Sequence, residues 1–108
     1  MPFHPQVIAF RDKRVALKLA PNSEVSPAQA RENSRIWRAA IPSDLEPVGE
    51  ITDRTIPGPA GDLPIRIYRP DSEGPHPLLR LFHGGGWLIG DLDHEDPSSR
   101  RMCNQLNA

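Results

Sequence analysis

An apolar run that leads into three consecutive glycines is the feature that most restricts the fold of this chain. The run spans residues 78–82, and the five residues after it read His-Gly-Gly-Gly-Trp. Short apolar runs of this kind are typical of strands buried on both faces of a parallel sheet. Glycine has no Cβ and readily adopts positive φ, so the backbone can turn and let another group approach closely. The sequence therefore predicts a buried strand that ends in a tight turn.

A turn of this kind fits chemistry in which negative charge develops on an oxygen atom. Two backbone N–H groups that converge on such an oxygen stabilise the charge, which is often the largest single catalytic contribution. A phosphate-binding loop is excluded, because the sequence contains neither G-x-x-x-x-G-K-[ST] nor G-x-G-x-x-G. His83 could orient the turn or act as a base. We favour the orienting role, because no nucleophile is identifiable nearby.

Other residues give weaker chemical signals. The acidic run 91–96 lacks the glycine and the final glutamate of a calcium-binding EF-hand loop, so we predict no metal site and no cofactor. These carboxylates instead fit a loop that leads into a helix N-terminus. Cys103 is interpreted as a small core residue. No serine lies in a G-x-S-x-G context, so the sequence contains no recognisable serine nucleophile.

The first half of the chain has helical periodicity. Residues 5–19 carry apolar side chains at three- and four-residue steps, which indicates a helix that ends before Pro21. A second helix is predicted to begin with a capping box at Ser26–Gln29 and to end at Pro42.

The second half predicts strands followed by a helix. Two alternating runs, 48–53 and 63–68, are separated by a Pro- and Gly-rich loop and predict an antiparallel hairpin. The last helix is predicted to have Asp96 as its N-cap and Pro97 in its first position. Trp87 is interpreted as a core residue, with the lining of a substrate pocket as the alternative.

Composition bounds the class of protein. With 108 residues, the chain is at most one small domain. Its net charge of -1 lacks the excess of basic residues that nucleic-acid-binding domains have. A single cysteine cannot form an internal disulfide. No apolar run approaches the ~20 residues that span a bilayer, and the N-terminus lacks the pattern of a signal peptide. We therefore expect a soluble, cytoplasmic protein.

Three segments together resemble the hormone-sensitive-lipase-like α/β-hydrolases, a family of esterases and lipases. Residues 53–70 are similar to the first hairpin of that family, and residues 83–93 are similar to its HGGG oxyanion motif. Residues 26–31 are similar to the second helix of its N-terminal cap. The similarity covers nearly the whole chain and corresponds to the first third of such an enzyme.

The resemblance implies the N-terminal part of an α/β-hydrolase fold with an incomplete sheet. Residues 1–45 would form a helical cap or lid, and residues 46–108 the first strands, the oxyanion loop and the first helix. The implied activity is that of a serine esterase or lipase, which acts on small-molecule acyl esters through an acyl-enzyme. Gly85 and Gly86 would be the oxyanion N–H donors, and His83 a structural, loop-orienting residue.

No position of this sequence matches the nucleophile, acid or base of the family. We therefore expect an esterase segment that stops before the catalytic triad. Two alternatives stay open: a non-catalytic binding module derived from the same fold, and a chain completed by a complementing partner or by homo-oligomerisation. Arg80 departs from the family pattern, because it interrupts a strand that is normally apolar, where an unpaired buried charge is costly.

We predict that the purified 108-residue chain does not hydrolyse p-nitrophenyl acetate or butyrate above the buffer rate. N–H donors accelerate nothing unless a nucleophile attacks the ester carbonyl. Release of p-nitrophenol, followed by absorbance, is the measurement. Turnover that a serine-reactive organophosphate abolishes would contradict the prediction.

Overall fold

The three helices and the hairpin follow the predicted order, but the strand predicted between the hairpin and the last helix is not among the described elements. The computed structural model describes residues 2–41 and 43–108. Its elements are α1 (Pro5–Ala16), a 3-10 turn (Asn22–Glu24), α2 (Pro27–Ala39), β1 (Glu50–Ile56), β2 (Leu63–Arg69) and α3 (Leu92–Leu106). The described residues divide into two compact units, one containing residues 2–41 with 84–90 and the other residues 43–83 with 91–108.

Side-chain caps and prolines set the beginnings of α1 and α2. The Nδ1 atom of His4 accepts a hydrogen bond from the N–H of Gln6 (3.3 Å), and the Oγ atom of Ser26 accepts from the N–H of Gln29 (3.2 Å). A proline follows each cap, at a position where its missing N–H has no helical partner to lose. The serine half of the predicted capping box is confirmed. The other half is not formed, since the Gln29 side chain donates to the Oδ1 atom of Asn33 (2.9 Å).

α1 ends three residues earlier than the predicted boundary at residue 19. The helix ends at Ala16, and Lys18 has a φ of +51°. A left-handed residue cannot continue a right-handed helix, so the apolar pattern extends beyond the helix itself. The predicted end of α2 at Pro42 lies outside the described residues.

The first unit is held by one buried amide and one aromatic pair. The side chain of Asn33 is buried and donates a hydrogen bond to the carbonyl oxygen of Ala20 (3.3 Å), which fixes the segment between the two helices. The rings of Phe10 and Trp37 meet edge to face, with 4.9 Å between their centroids. The Cζ atom of Arg14 lies 5.7 Å from the centroid of the Trp37 ring.

β1 and β2 form the predicted antiparallel hairpin. The strands pair along their full length, with Thr52 opposite Ile67. Reciprocal hydrogen bonds between the backbones of Gly58 and Gly61 close the connecting loop (3.1 and 3.3 Å). Gly61 has a φ of +122°, a conformation that glycine adopts without steric cost.

α3 begins earlier than predicted, and its cap is a different residue. The carboxylate of Asp91 accepts a hydrogen bond from the N–H of His94 (2.8 Å) and caps the helix. Pro97 lies inside α3, where it cannot donate a hydrogen bond to the carbonyl oxygen of Asp93. The prediction that Asp96 is the N-cap is wrong, because its side chain is buried and binds groups of β2 and α3 instead.

The buried carboxylate of Asp96 joins α3 to β2. Its Oδ1 atom accepts a hydrogen bond from the Tyr68 hydroxyl, and its Oδ2 atom accepts one from the Nε atom of Arg100, both at 2.8 Å. Arg100 also donates to the carbonyl oxygen of Glu46 (3.1 Å). Asp96 is only 8% exposed, so these partners replace the water that the charge has lost. The carboxylate therefore fixes α3 against the hairpin.

Arg66 makes the second connection between the hairpin and α3. Its guanidinium binds Asp53 on β1 through two hydrogen bonds (2.7 and 2.9 Å) and Asp93 on α3 through one (2.9 Å). The guanidinium beside Asp53 holds the pKa of that carboxyl below its usual range. Because the planar guanidinium donates its hydrogen bonds in fixed directions, binding both carboxylates holds β1, β2 and α3 in one arrangement.

Residues 78–82 do not form the predicted buried strand. No helix, strand or turn is assigned to residues 75–84, and the large apolar side chains of the segment are exposed. A strand buried on both faces needs neighbours for its backbone groups, and the two strands that the structure describes pair only with each other. The prediction of a buried strand here is therefore wrong for this structure.

The described elements amount to part of an α/β fold. Three helices and one antiparallel hairpin are present, and of the predicted incomplete sheet only the hairpin is formed. Within the two described ranges, no helix is both long enough and apolar enough to cross a membrane.

Tyr68 is the single tyrosine of the sequence, so its titration reports directly on the Asp96 cluster. Burial, together with the hydrogen bond to Asp96, raises the pKa of Tyr68 to about 12. A tyrosine in an unfolded chain titrates near pH ~10. The neutral phenol therefore stabilises the fold fully below pH ~10, and this stabilisation is lost as the pH rises through about 12.

We expect the ultraviolet absorbance of the phenolate to rise with a midpoint near 12 in the folded chain and near ~10 in denaturant. Asp96→Asn should move the folded midpoint downward, because the carboxylate that disfavours a second negative charge is gone. Asp62→Asn, in the exposed hairpin loop, is the matched control and should leave it unchanged. A midpoint near ~10 in the native chain would rule out this arrangement.

Candidate functional site

The residues singled out from the sequence lie in the loop 84–90 and directly before it. φ is positive at Gly85 (+138°), Gly86 (+58°), Trp87 (+57°) and Gly90 (+99°). Residues with a Cβ rarely adopt these values, so the glycines permit a backbone path that few other sequences could follow.

One carbonyl group holds the turn of this loop. The carbonyl oxygen of Gly85 accepts hydrogen bonds from the N–H groups of Leu88 and Ile89, both at 3.1 Å. A Cβ on Gly85 would overlap the carbonyl oxygen of Ile89 and lie 2.7 Å from its carbonyl carbon. A Cβ on Gly84 or Gly86 would meet nothing within 4 Å. Residue 85 must therefore be glycine because the Ile89 carbonyl lies where a Cβ would be. At residue 86 there is room for a Cβ, and only the positive φ favours glycine.

The N–H groups of Gly85 and Gly86 are two of the donors that this loop leaves open, together with those of Trp87 and Gly90. Neither the Gly85 nor the Gly86 group donates a hydrogen bond to an acceptor in residues 2–41 or 43–108. The carbonyl of Gly85 is committed to the turn, so the loop is held in shape without using these two donors. Successive N–H groups in a turn of this kind can form a concave site for negative charge.

His83 stands directly before the loop, and its side chain is exposed. Its loop-orienting role stays a prediction, as do the donor roles of Gly85 and Gly86.

Trp87 is fully exposed, so its assignment to the core is wrong. Trp87 has a left-handed φ of +57°, and Leu88 and Ile89, which follow it, are half-buried. A bulky residue at this φ is uncommon and costs free energy.

The other chemical candidates behave as structural residues. Cys103 is buried, as predicted, and burial raises the pKa of its thiol, which lowers the fraction of reactive thiolate. In the part of the chain that the structure describes, no group of three or more His, Cys, Asp and Glu side chains is placed to hold a metal ion.

Sequence analysis missed the side chains that position α3. Arg66 and Tyr68 are two apart on β2 and therefore share one face of the strand. Asp96 and Arg100 are four apart on α3, the spacing of a helical ion pair. The four-residue spacing of Asp96 and Arg100 could have predicted their ion pair. The prediction that Asp96 is the N-cap placed this residue at the start of the helix instead, so the pair was overlooked.

Comparison with known proteins identifies the kind of protein that this chain is similar to. The carboxylic ester hydrolase LipN of Mycobacterium tuberculosis is 54% identical over 58 residues, which are 54% of this chain and 15% of that protein. An arylesterase of Saccharolobus solfataricus is 32% identical over 105 residues, 96% of this chain and 34% of that protein. An AB hydrolase superfamily protein of Schizosaccharomyces pombe is 41% identical over 71 residues, 58% of this chain and 20% of that protein.

These relatives are ester hydrolases and α/β-hydrolases, which confirms the resemblance seen in the sequence motifs. The chain spans only 15% to 34% of the first two of them. A scan against protein-family models gives no match.

We predict that Gly85→Ala disrupts the loop and that Gly86→Ala only strains it. The new methyl group at residue 85 would displace the Ile89 carbonyl, so the amides of Leu88 and Ile89 should lose protection from hydrogen exchange. The methyl group at residue 86 enters open space and costs about 1–2 kcal/mol through its left-handed φ alone.

Gly84→Ala is the matched control, because a Cβ there meets nothing and no positive φ is involved. It should leave the exchange rates of both amides unchanged. Equal protection in the Gly84→Ala and Gly85→Ala variants would contradict the role assigned to the Gly85 carbonyl.

Proposed function

We propose that this chain, which resembles the N-terminal third of the hormone-sensitive-lipase-like ester hydrolases, supplies the oxyanion loop of a serine carboxylic-ester hydrolase. The observation that carries the proposal is the pair of uncommitted N–H donors at Gly85 and Gly86, in a loop held by the Gly85 carbonyl. The ester-hydrolase relatives supply the reaction class.

The loop would act on the carbonyl oxygen of a bound acyl ester. When a serine oxygen attacks the carbonyl carbon, the carbonyl π electrons move to its oxygen, and the tetrahedral intermediate carries a negative charge there. Two N–H groups already aimed at that oxygen need no reorganisation at the moment of attack. Removing one donor of this kind raises the barrier by about 3–4 kcal/mol.

The small size of glycine serves the same step. A side chain on either donor residue would occupy the space through which the acyl group approaches the N–H groups. His83, directly before the glycines, would orient the loop and take no part in proton transfer.

The remaining machinery is proposed to lie outside these 108 residues, since the sequence has no G-x-S-x-G. The nucleophile, the general base and the acid that orients it would come from further chain. Residues 1–45 would cover the acyl group as a lid. The substrate class is a small-molecule acyl ester.

A chimera tests this function. The aligned first third of the Saccharolobus arylesterase is replaced by this chain, which matches it over 105 residues. We expect the chimera to hydrolyse p-nitrophenyl butyrate. Gly85→Ala should lower kcat by about 10²–10³-fold, because the displaced loop no longer holds the donors at the oxyanion. Gly86→Ala keeps its N–H and the loop contacts, so it should lower kcat less.

Gly74→Ala is the control, since its new Cβ would meet nothing closer than 3.5 Å. It should retain the activity of the parent chimera. Full activity in both loop variants would overturn the proposal. A folded but inactive chimera would instead favour a non-catalytic binding module.

A further inference from the structure

The loop 84–90 belongs to the same compact unit as α1 and α2, although these helices lie far from it in sequence. The helix nearest to it along the chain is α3, which begins after the Asp91 cap and belongs to the other unit. The half-buried residues of the loop are Gly85, Leu88, Ile89 and Gly90. The surroundings of the loop are therefore set by a part of the chain that is distant in sequence.

The conformation of the loop costs free energy within the loop itself. Gly86 and Trp87 follow each other with left-handed φ values of +58° and +57°, and Trp87 is a bulky residue. Inside the loop, the Gly85 carbonyl opposes this cost with the two hydrogen bonds that it accepts. Backbone conformations of this kind persist where the surrounding structure holds them. In this unit, the surrounding structure is the helical segment 2–41.

A buried amide holds the helical segment together. Asn33 on α2 is 7% exposed, and its Nδ2 atom donates a hydrogen bond to the carbonyl oxygen of Ala20, between the two helices (3.3 Å). Its Oδ1 atom accepts a hydrogen bond from the Gln29 side chain (2.9 Å). Removing one partner of a buried hydrogen bond leaves the other partner unsatisfied. Asn33 is therefore a position at which the helices can be loosened without changing a residue of the loop.

We propose that α1 and α2 control the oxyanion loop: when the helical segment is ordered, the N–H groups of Gly85 and Gly86 are held in place, and when it loosens, they are released. Residues of one compact unit open together, because the contacts that define the unit are lost together. The role of the two donors rests on the proposed hydrolase function, and the control by the helices is a regulation of that same site.

The acyl group of the ester is the ligand that would use this control. A group bound beneath the helical lid stabilises the ordered helices, and through them the two donors. Part of the binding energy of the acyl group then acts at the reacting carbonyl, where it raises kcat and not only the affinity.

Hydrogen exchange of the Leu88 and Ile89 amides tests the coupling in the 108-residue chain. We expect Asn33→Ala to make both amides exchange about tenfold faster, although the substitution lies in α2. Complete unfolding of the helices in this variant is equally decisive, because both loop amides must then lose all protection.

Asn104→Ala is the matched control. Asn104 on α3 also donates a hydrogen bond to a distant backbone carbonyl, that of Pro47 (3.1 Å), but it belongs to the other unit. Since Asn104 is exposed, Tyr68→Phe is the second control, because it removes a half-buried hydrogen bond to Asp96. Neither control should change the exchange of Leu88 and Ile89, even though α3 directly follows the loop.

The coupling must also act in the opposite direction, because coupling free energies are reciprocal. Gly85→Ala, which displaces the Ile89 carbonyl, should speed the exchange of the α2 amides, and Gly84→Ala should not. Unchanged loop amides in Asn33→Ala, or equal acceleration in Asn33→Ala and the two α3 controls, would refute the proposal. Unchanged α2 amides in Gly85→Ala would refute it as well.

The arylesterase chimera tests the use of the acyl group. We expect kcat to be higher for p-nitrophenyl hexanoate than for the acetate, and Asn33→Ala to reduce this ratio while Asn104→Ala keeps it. A longer acyl chain that lowers KM alone would contradict the control of the donors by the helices. The exchange measurements involve no hydrolysis, so an inactive chimera counts against the hydrolase function while the exchange rates still decide on the coupling.

Discussion

The carboxylate of Asp96 is the group on which the second unit of the molecule depends. It is nearly inaccessible, yet each of its oxygen atoms meets a donor, one from Tyr68 on the hairpin and one from Arg100 on α3. An exposed ion pair contributes about 0–1 kcal/mol, whereas removing one partner of a buried charge costs about 3–5 kcal/mol. A two-stranded hairpin is marginal by itself, so this anchoring to a helix is what makes it a stable element.

Local signals predicted the local structure well. The Ser26 cap and the hairpin depend on residues that are neighbours in sequence, and both are observed. Asp96 shows where such signals stop. Asp followed by Pro is a sound N-cap pattern, but Asp91 offers the same cap earlier, and the buried contacts of Asp96 come from distant residues. The contacts that bury Asp96 and leave Asp91 as the cap come from residues far away in sequence, so a short stretch of sequence does not reveal them.

The same contrast between local and distant determinants separates the glycine loop 84–90 from the apolar segment 78–82 that precedes it. The positive φ values of Gly85 and Gly86 are local properties that a run of glycines predicts, whereas the positive φ of Trp87 is not signalled by its residue type. Whether residues 78–82 become a strand depends on a neighbour, because a strand is defined by hydrogen bonds that it makes with another segment. The apolar run has the composition of such a strand, but the two strands that the structure describes pair only with each other.

The two tryptophans of the chain have opposite surroundings, and this gives the protein a built-in optical probe. Trp37 lies against the ring of Phe10 and near the guanidinium of Arg14, while Trp87 stands fully in solvent on the glycine loop. Indole emission shifts to shorter wavelength when water is replaced by apolar groups. Any molecule or chain that covers the loop would therefore change the Trp87 signal and its accessibility to a soluble quencher, with Trp37 as the internal reference.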